Sequence, residues 1–287
     1  MVNLTSFTLA HTPPGTVSVG QLLDFFEGAP HLRKVKLCFV SPTTGGQDGR
    51  LVSMACLKSM CIDGSGPSSV LLDHLLIPVG AELKTRVVLF SSLIGEHLPR
   101  SLNNLRNFSD FNKIRLFLEE FCPRVEFSGP NGQVSTTLRS SRVDRTGLVF
   151  GSLAGLDTSK TERLEIDCGS PPSGDLLSQA LLSMAGLRTL KLSKCENPHI
   201  FVQALRPDID SSEDVVCPKL EEIILVLHAQ GDTFNIKNVI EMAAARASRG
   251  KKLGTIRIID GRDEADMDVS ELKEHVRNVE YGPGAGF

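Results

Sequence analysis

The chain has 287 residues, 41% of them hydrophobic, and a formal net charge of −3. That charge gives no electrostatic reason to expect nucleic acid, whose phosphates are met by clustered Lys and Arg. Apolar stretches fall short of the roughly 18 residues a membrane span needs, and Met1 to Leu9 lacks the basic and apolar regions of a secretory signal, so no membrane partner and a cytoplasmic or nuclear location are expected.

In chain order, the first predicted element is a strand at Leu4-Phe7-Leu9. Its phrase, L-x-x-L-x-L, returns at Leu32-Val35-Leu37 and Leu57-Met60-Ile62. Between the first two copies, Val19, Leu22, Leu23 and Phe26 follow helical spacing behind Ser18. Regularity lapses between about 108 and 160. There, Phe121 to Phe127 and Gln133 to Leu138 flank Gly129-Pro130-Asn131-Gly132, which predicts a hairpin because Asn-Gly tolerates positive φ. The stretch from Arg139 to Thr161, rich in Ser, Arg and Gly, reads as a surface loop.

The phrase resumes in weaker form at Thr161-Leu164-Ile166 and cleanly at Leu187-Leu190-Leu192, Leu220-Ile223-Leu225 and Leu253-Ile256-Ile258. Helices are predicted between these copies. One carries Leu176, Leu177, Ala180, Leu181 and Met184 behind Ser173; another starts at Asn197-Pro198, a capping side chain before a proline at the first helical position, and stops at Pro207. The longest runs from Asn235 through Ile236, Val239, Ile240, Ala243, Ala244 and Ala247 to Gly250, which suits a left-handed cap. A last helix follows Asp268, where Asp-x-x-Glu271 has the spacing of a capping box, and 281–287 is expected to be disordered.

Copies lie 25 residues apart from Leu32 to Leu57 and 33 apart from Leu187 to Leu220 and on to Leu253, long enough for an outer helix in each repeat. The expected fold is α/β, a leucine-rich-repeat-like solenoid or horseshoe of strand–helix units with an irregular middle hairpin, forming one domain over 1–280. Repeat stacks of this kind usually present a surface to a partner.

In such a phrase the leucines point inward and the residues between them point to the concave face. That rule places a partner-binding face on Lys34, Lys36, Ser59 and Asp63 in the early copies. In the later copies it selects Arg163, Glu165 and Asp167, then Thr189 and Lys191, then Glu222, Ile224 and Val226, and lastly Arg257 and Ile259. Ile224, Val226 and Ile259 would form an apolar patch on an otherwise charged surface.

Nothing in the chain points to catalysis. The seven histidines, 11, 31, 74, 97, 199, 228 and 275, are scattered singly, and no metalloprotease, nucleophile-elbow or phosphate-loop motif occurs. The seven cysteines form no C-x-x-C pair, so buried reduced thiols are expected, with neither a zinc site nor a disulfide framework and with no cofactor. The acidic run Asp260, Asp263, Glu264, Asp266 and Asp268 lacks the register of a calcium loop and reads as solvated. The basic cluster Arg246, Arg249, Lys251 and Lys252 reads as complementing a helix C-terminus, with a phosphate site as the sharper alternative.

Several segments carry a more specific likeness: Arg-Leu-Glu-Ile at 163–166, Leu-Arg-Thr-Leu-Lys-Leu-Ser-Lys-Cys at 187–195, Cys-Pro-Lys-Leu-Glu-Glu-Ile-Ile-Leu at 217–225 and Ala-Arg-Ala-Ser-Arg-Gly-Lys-Lys-Leu at 245–253. With these, 161–281 resembles the C-terminal region of large fungal F-box proteins with degenerate leucine-rich repeats. Cys195 falls where the repeat pattern expects Asn or Cys, and His31-Leu-Arg-Lys-Val-Lys-Leu37 is similar but less distinct. The resemblance implies repeats that select the substrate of a ubiquitin ligase, and docking on the ligase adaptor where an F-box lies upstream. The Leu-Pro-x-Glu motif that opens an F-box does not occur in the chain. The alternative expectation is a freestanding leucine-rich-repeat scaffold with no ubiquitin link.

Overall fold

The computed structural model describes residues 3–13, 15–40, 42–43, 49–64, 69–89, 105, 108, 110–119, 122–140, 145–207, 215–227, 234–261 and 267–283. Contacts divide the chain into two compact units, Met1–Asn112 with Phe121–Val143 and Lys113–Glu120 with Asp144–Phe287. The divide falls inside the stretch expected to be irregular. The fold is mixed α/β and mostly parallel.

Unit 1 contains β1 (Ser6–Ala10), α1 (Val19–Glu27), β2 (Lys34–Cys38), β3 (Val52–Ser53), β4 (Ser59–Gly64), α2 (Ser69–Leu72), β5 (Leu75–Leu76) and β6 (Glu82–Leu89). Strand β7 (Lys113–Leu118) belongs to unit 2, and the hairpin of β8 (Arg124–Gly129) and β9 (Gly132–Ser140) returns to unit 1. Its sheet runs β1-β2-β4-β6-β9-β8, parallel except at the predicted hairpin, while β3 and β5 pair separately. Helix α1 starts where the sequence suggested, because Ser18 and Gln21 exchange a capping box: Gln21 N donates to Ser18 Oγ at 3.2 Å and Ser18 N to Gln21 Oε1 at 2.9 Å. The interior takes Val35, Leu37, Met60, Ile62 and Leu83, and beside them the buried Thr85 donates from Oγ1 to Thr136 Oγ1 at 2.9 Å across the β6–β9 pair.

Unit 2 continues with α3 (Arg145–Ala154), β10 (Arg163–Cys168), α4 (Gly174–Leu182), β11 (Thr189–Ser193), α5 (Pro198–Ala204), β12 (Glu222–Leu227), α6 (Ile236–Ser248), β13 (Thr255–Asp260), α7 (Leu272–His275) and β14 (Asn278–Pro283). Its sheet order, β7-β10-β11-β12-β13-β14, is chain order, every pair is parallel, and a helix precedes each strand from β10 on. Each helix packs on the next, so one face of the sheet lies beneath a helical layer. Ile114, Leu164, Leu190, Ile223 and Ile256 pair rung to rung in register on that face and are fully buried. The turns entering the strands are stitched in the same order: Arg188 N donates to Glu162 O, Glu221 N to Arg188 O and Gly254 N to Glu221 O, at 2.8–2.9 Å.

Several expectations need correction. Arg139 to Thr161 is not a loop: β9 extends to Ser140 and α3 occupies Arg145–Ala154, its Ser152 hydroxyl satisfied by Leu148 O. Asn197 stands at the N-cap of α5 but its side chain makes no capping bond, whereas Asn235 caps α6 by accepting from Lys237 N at 3.0 Å. No capping box forms at Asp268; its carboxylate accepts from Ser270 N, and Glu271 is the N-cap of the short α7. Gly250 does take positive φ, +71°, just beyond α6. Asp260, read with the solvated acidic run, is buried at the end of β13; Asp263, Glu264 and Asp266 lie outside the described residues. Tyr281 to Pro283, placed in the tail by the sequence, pair with β13 as the end of β14, and 284–287 lie outside the described residues.

Candidate functional site

The face of the unit 2 sheet away from the helices presents three rows, each crossing six strands in register. The first is Lys113-Arg163-Thr189-Glu222-Thr255-Asn278, the second Arg115-Glu165-Lys191-Ile224-Arg257-Glu280, and the third Phe117-Asp167-Ser193-Val226-Ile259-Gly282. All ten residues selected from the later repeats fall on these rows. Nine are half-buried, and Ile224 alone is buried, 6% exposed, so the apolar patch reduces outwardly to Val226 and Ile259. In unit 1 the corresponding rows bring Lys34 beside Ser59, and Cys38 beside Asp63, with Lys36 opposite Cys61. Lys34 and Lys36 are exposed and make no ion pair among the described residues, whereas Asp63 reaches Arg86 at 4.0 Å.

Glu165 is the electrostatic centre of the unit 2 face. Lys113 Nζ, Arg115 Nε and Arg163 Nε approach its carboxylate at 2.8, 2.8 and 2.7 Å. Burial pushes its pKa up, but hydrogen bonds from Lys113 and Arg163 and the charges of Lys113 and Arg115 outweigh that and hold it below the usual carboxylate range. The Arg115 guanidinium also lies over the Phe117 ring, 4.9 Å from its centroid. A cleft of about 90 Å3 opens here, lined by Arg115, Leu116, Phe117, Glu165, Ile166, Asp167, Lys191 and Ser193. Asp167 is held by Lys194 at 3.2 Å, with Lys194 in the left-handed region at φ +52°.

Toward β14 the pattern changes. Arg257 Nε donates to Glu280 Oε2 at 2.6 Å and its Nη2 lies 3.9 Å from Glu222, while Thr189 Oγ1 donates to Glu222 Oε2 at 3.3 Å. The hydrogen bond from Arg257 draws the Glu280 carboxyl below its ordinary value, and the same bond raises Arg257. The face is therefore basic over β7, β10 and β11 and closer to neutral, with Val226 and Ile259, over β12 and β13.

Lys113, Arg115 and Phe117 were missed because their strand fell in the stretch read as irregular. The signal was present: Phe111-x-x-Ile114-x-Leu116 is the repeat phrase with Phe and Ile in place of two leucines. The basic cluster at the end of α6 also resolves. Arg246 is buried, donating to the carbonyls of Leu205, Val216 and Cys217 at 3.3, 2.8 and 2.8 Å, and Lys252 Nζ donates to Glu274 O.

Among the described residues no group of His, Cys, Asp and Glu could hold a metal ion, and no helix is long and apolar enough to cross a membrane. His97 and His228 lie outside the described residues; His74 Nδ1 contacts Arg50 O at 2.9 Å and His11 stacks on Phe39. Cys168 and Cys195 are buried with their sulfurs 3.1 Å apart, and Cys217 donates to Leu181 O. No protein-family model matches the chain, and neither a curated protein nor a solved structure matches it.

Proposed function

We propose that this chain is a protein-interaction module, a leucine-rich-repeat-like solenoid that takes a protein partner on the open face of its sheet. One observation carries the reading: in unit 2, fully buried leucine and isoleucine rungs hold five successive strands in parallel register, so that charged and apolar side chains repeat outward in rows on a face that no described helix covers. Such a surface supplies binding and orientation without requiring a nucleophile, a metal or a cofactor. The resemblance to fungal F-box repeat proteins gives the module a context, the selection of substrates for a ubiquitin ligase; a freestanding scaffold is the alternative.

The test is affinity capture from the native host with the wild-type chain and with a Lys34→Glu, Lys36→Glu, Lys191→Glu variant as baits. A partner held by the first and lost by the second supports the reading, and co-capture of the ligase adaptor selects the receptor form. Partners that bind both baits equally would place the interaction elsewhere on the molecule.

A further inference from the structure

The basic part of the unit 2 face has a construction that narrows the class of partner. Five cations, Lys113, Arg115, Arg163, Lys191 and Lys194, stand against two carboxylates, Glu165 and Asp167, on a chain whose overall charge is −3. Depth sharpens the imbalance. The Glu165 side chain is 13% exposed, while those of Lys113, Arg115 and Arg163 are 31%, 44% and 43% exposed. The carboxylate is sunk and the cations form the rim, so the field presented outward is positive. Lys191, on the neighbouring strand, makes no ion pair among the described residues.

We propose that this rim receives an acidic segment of a partner protein, with carboxylates seated at Arg115 and Lys191 on either side of Glu165 and an apolar side chain of the same segment resting on Val226 and Ile259. The inference rests on reading the face as a protein-binding surface and names the chemistry of the partner.

Three physical points support it. Arg115 is fixed from two sides, by Glu165 and by the ring of Phe117, so little rotamer freedom is lost when it takes a second carboxylate. Strands β7 and β11 flank β10, which sets Arg115 and Lys191 about 10 Å apart, close to the span of about 9 Å between two carboxylates three residues apart on one side of a polyproline II segment, which has three residues per turn. Beyond β11 the rows carry no unpaired cation: Ile224 is buried, Arg257 is held by Glu280, and the third row offers Val226 and Ile259, while Glu165 and Asp167 lie inside the cluster. A continuous phosphate polymer would meet both carboxylates and then an apolar surface, which disfavours nucleic acid.

The probe is a fluorescein-labelled peptide of pattern Glu-Ser-Ser-Glu-Ser-Ser-Leu, followed by fluorescence anisotropy at low salt. The expected result is binding that weakens with added salt, falls about tenfold or more in a Lys191→Glu, Lys194→Glu variant, and is unchanged in a Lys237→Glu, Lys273→Glu variant, which reverses two exposed charges on helices α6 and α7. A matched peptide with Gln for both Glu binding as tightly, or the acidic peptide failing to bind, overturns the proposal. So does oligothymidylate that binds as tightly and is lost in the same variant, which would transfer the site to phosphate polymers. If host partners are still lost by the face variant under affinity capture while the acidic peptide fails, the acidic class alone falls and the binding face stands.

Discussion

Arg246 Nη2 donates a 2.8 Å hydrogen bond to the carbonyl oxygen of Cys217, and with its bonds to Val216 and Leu205 this fully buried guanidinium ties the α5–β12 connection to helix α6. Its interior charge is met by backbone carbonyls alone, and burial lowers its pKa from the ordinary arginine value. Cys217 O also accepts from Leu220 N at 3.0 Å, so it is the Leu205 and Val216 carbonyls that depend on this one side chain. Arg246→Met is expected to destabilise the chain by about 3 kcal/mol, because carbonyls left without donors bear their desolvation cost. Arg246→Lys, with no planar fork to reach several carbonyls, recovers only part of that loss. Urea denaturation of the three proteins measures it, and an unchanged midpoint for Arg246→Met would refute the role.

Glu165 makes stability depend on acid. Its folded pKa is below the ordinary value of 4.5, so its contribution is fully present above pH 4.5 and disappears as pH falls through the folded pKa. Glu165→Gln should therefore cost about 1 kcal/mol at neutral pH and progressively less below pH 4.5. Thermal melts across that range read the difference directly; a cost that does not shrink in acid would mean that the three cations are not held by the carboxylate.

Gly186, in the turn before β11, lies so close to Ser159 that an added Cβ would collide with its carbonyl oxygen and stand 3.3 Å from Thr161 O. These are backbone atoms and cannot rotate away. Gly186→Ala is expected to cost about 1–3 kcal/mol. Gly174→Ala, at the first position of α4 where a Cβ meets nothing within 4 Å, should leave stability unchanged or raise it. Melting temperatures of the pair test the stitching of neighbouring turns.

Thiol reactivity should follow depth. Cys56 is exposed, whereas Cys168, Cys195 and Cys217 are buried, and burial pushes the Cys217 thiol up to about 12. Burial and the contact with Cys195 raise Cys168 as well, the hydrogen bond being the larger cause. Native-state labelling with iodoacetamide, read by peptide mass spectrometry, should modify Cys56 first and spare the three interior cysteines until denaturant is added. Early modification of Cys217 would show that the turn gripped by Arg246 is open.

Much of this fold was legible because its interior is written in leucine. Every copy of the L-x-x-L-x-L phrase forms a strand, and Ser18, Pro198 and Asn235 all stand where helices begin. Strands escaped notice where other residues fill the same rungs. β7 uses Phe111, Ile114 and Leu116, and the segment entering β14 uses Val276, Val279 and Tyr281. β6 was harder still, because its Thr85 lies in the interior, satisfied by Thr136 of β9, and a buried threonine reads as polar until its partner on another strand is known. The depth of Arg246 had no local signal at all: its acceptors lie 29 to 41 residues away. The alternation rule found the later site residues, but the loss of β7 removed two of the three cations that surround Glu165, and with them the polarity of the face.

The rungs of unit 2 also separate two kinds of sequence change. Strand position is set by the buried side chains and by the turn-to-turn hydrogen bonds, none of which involves an outward side chain. Apart from the buried Ile224 and the ion-paired Glu165, a substitution on an outward row alters what the surface offers while leaving the scaffold beneath it in place. Relatives sharing this interior could diverge in binding preference one strand at a time, through the remaining outward positions, with no refolding of the whole required.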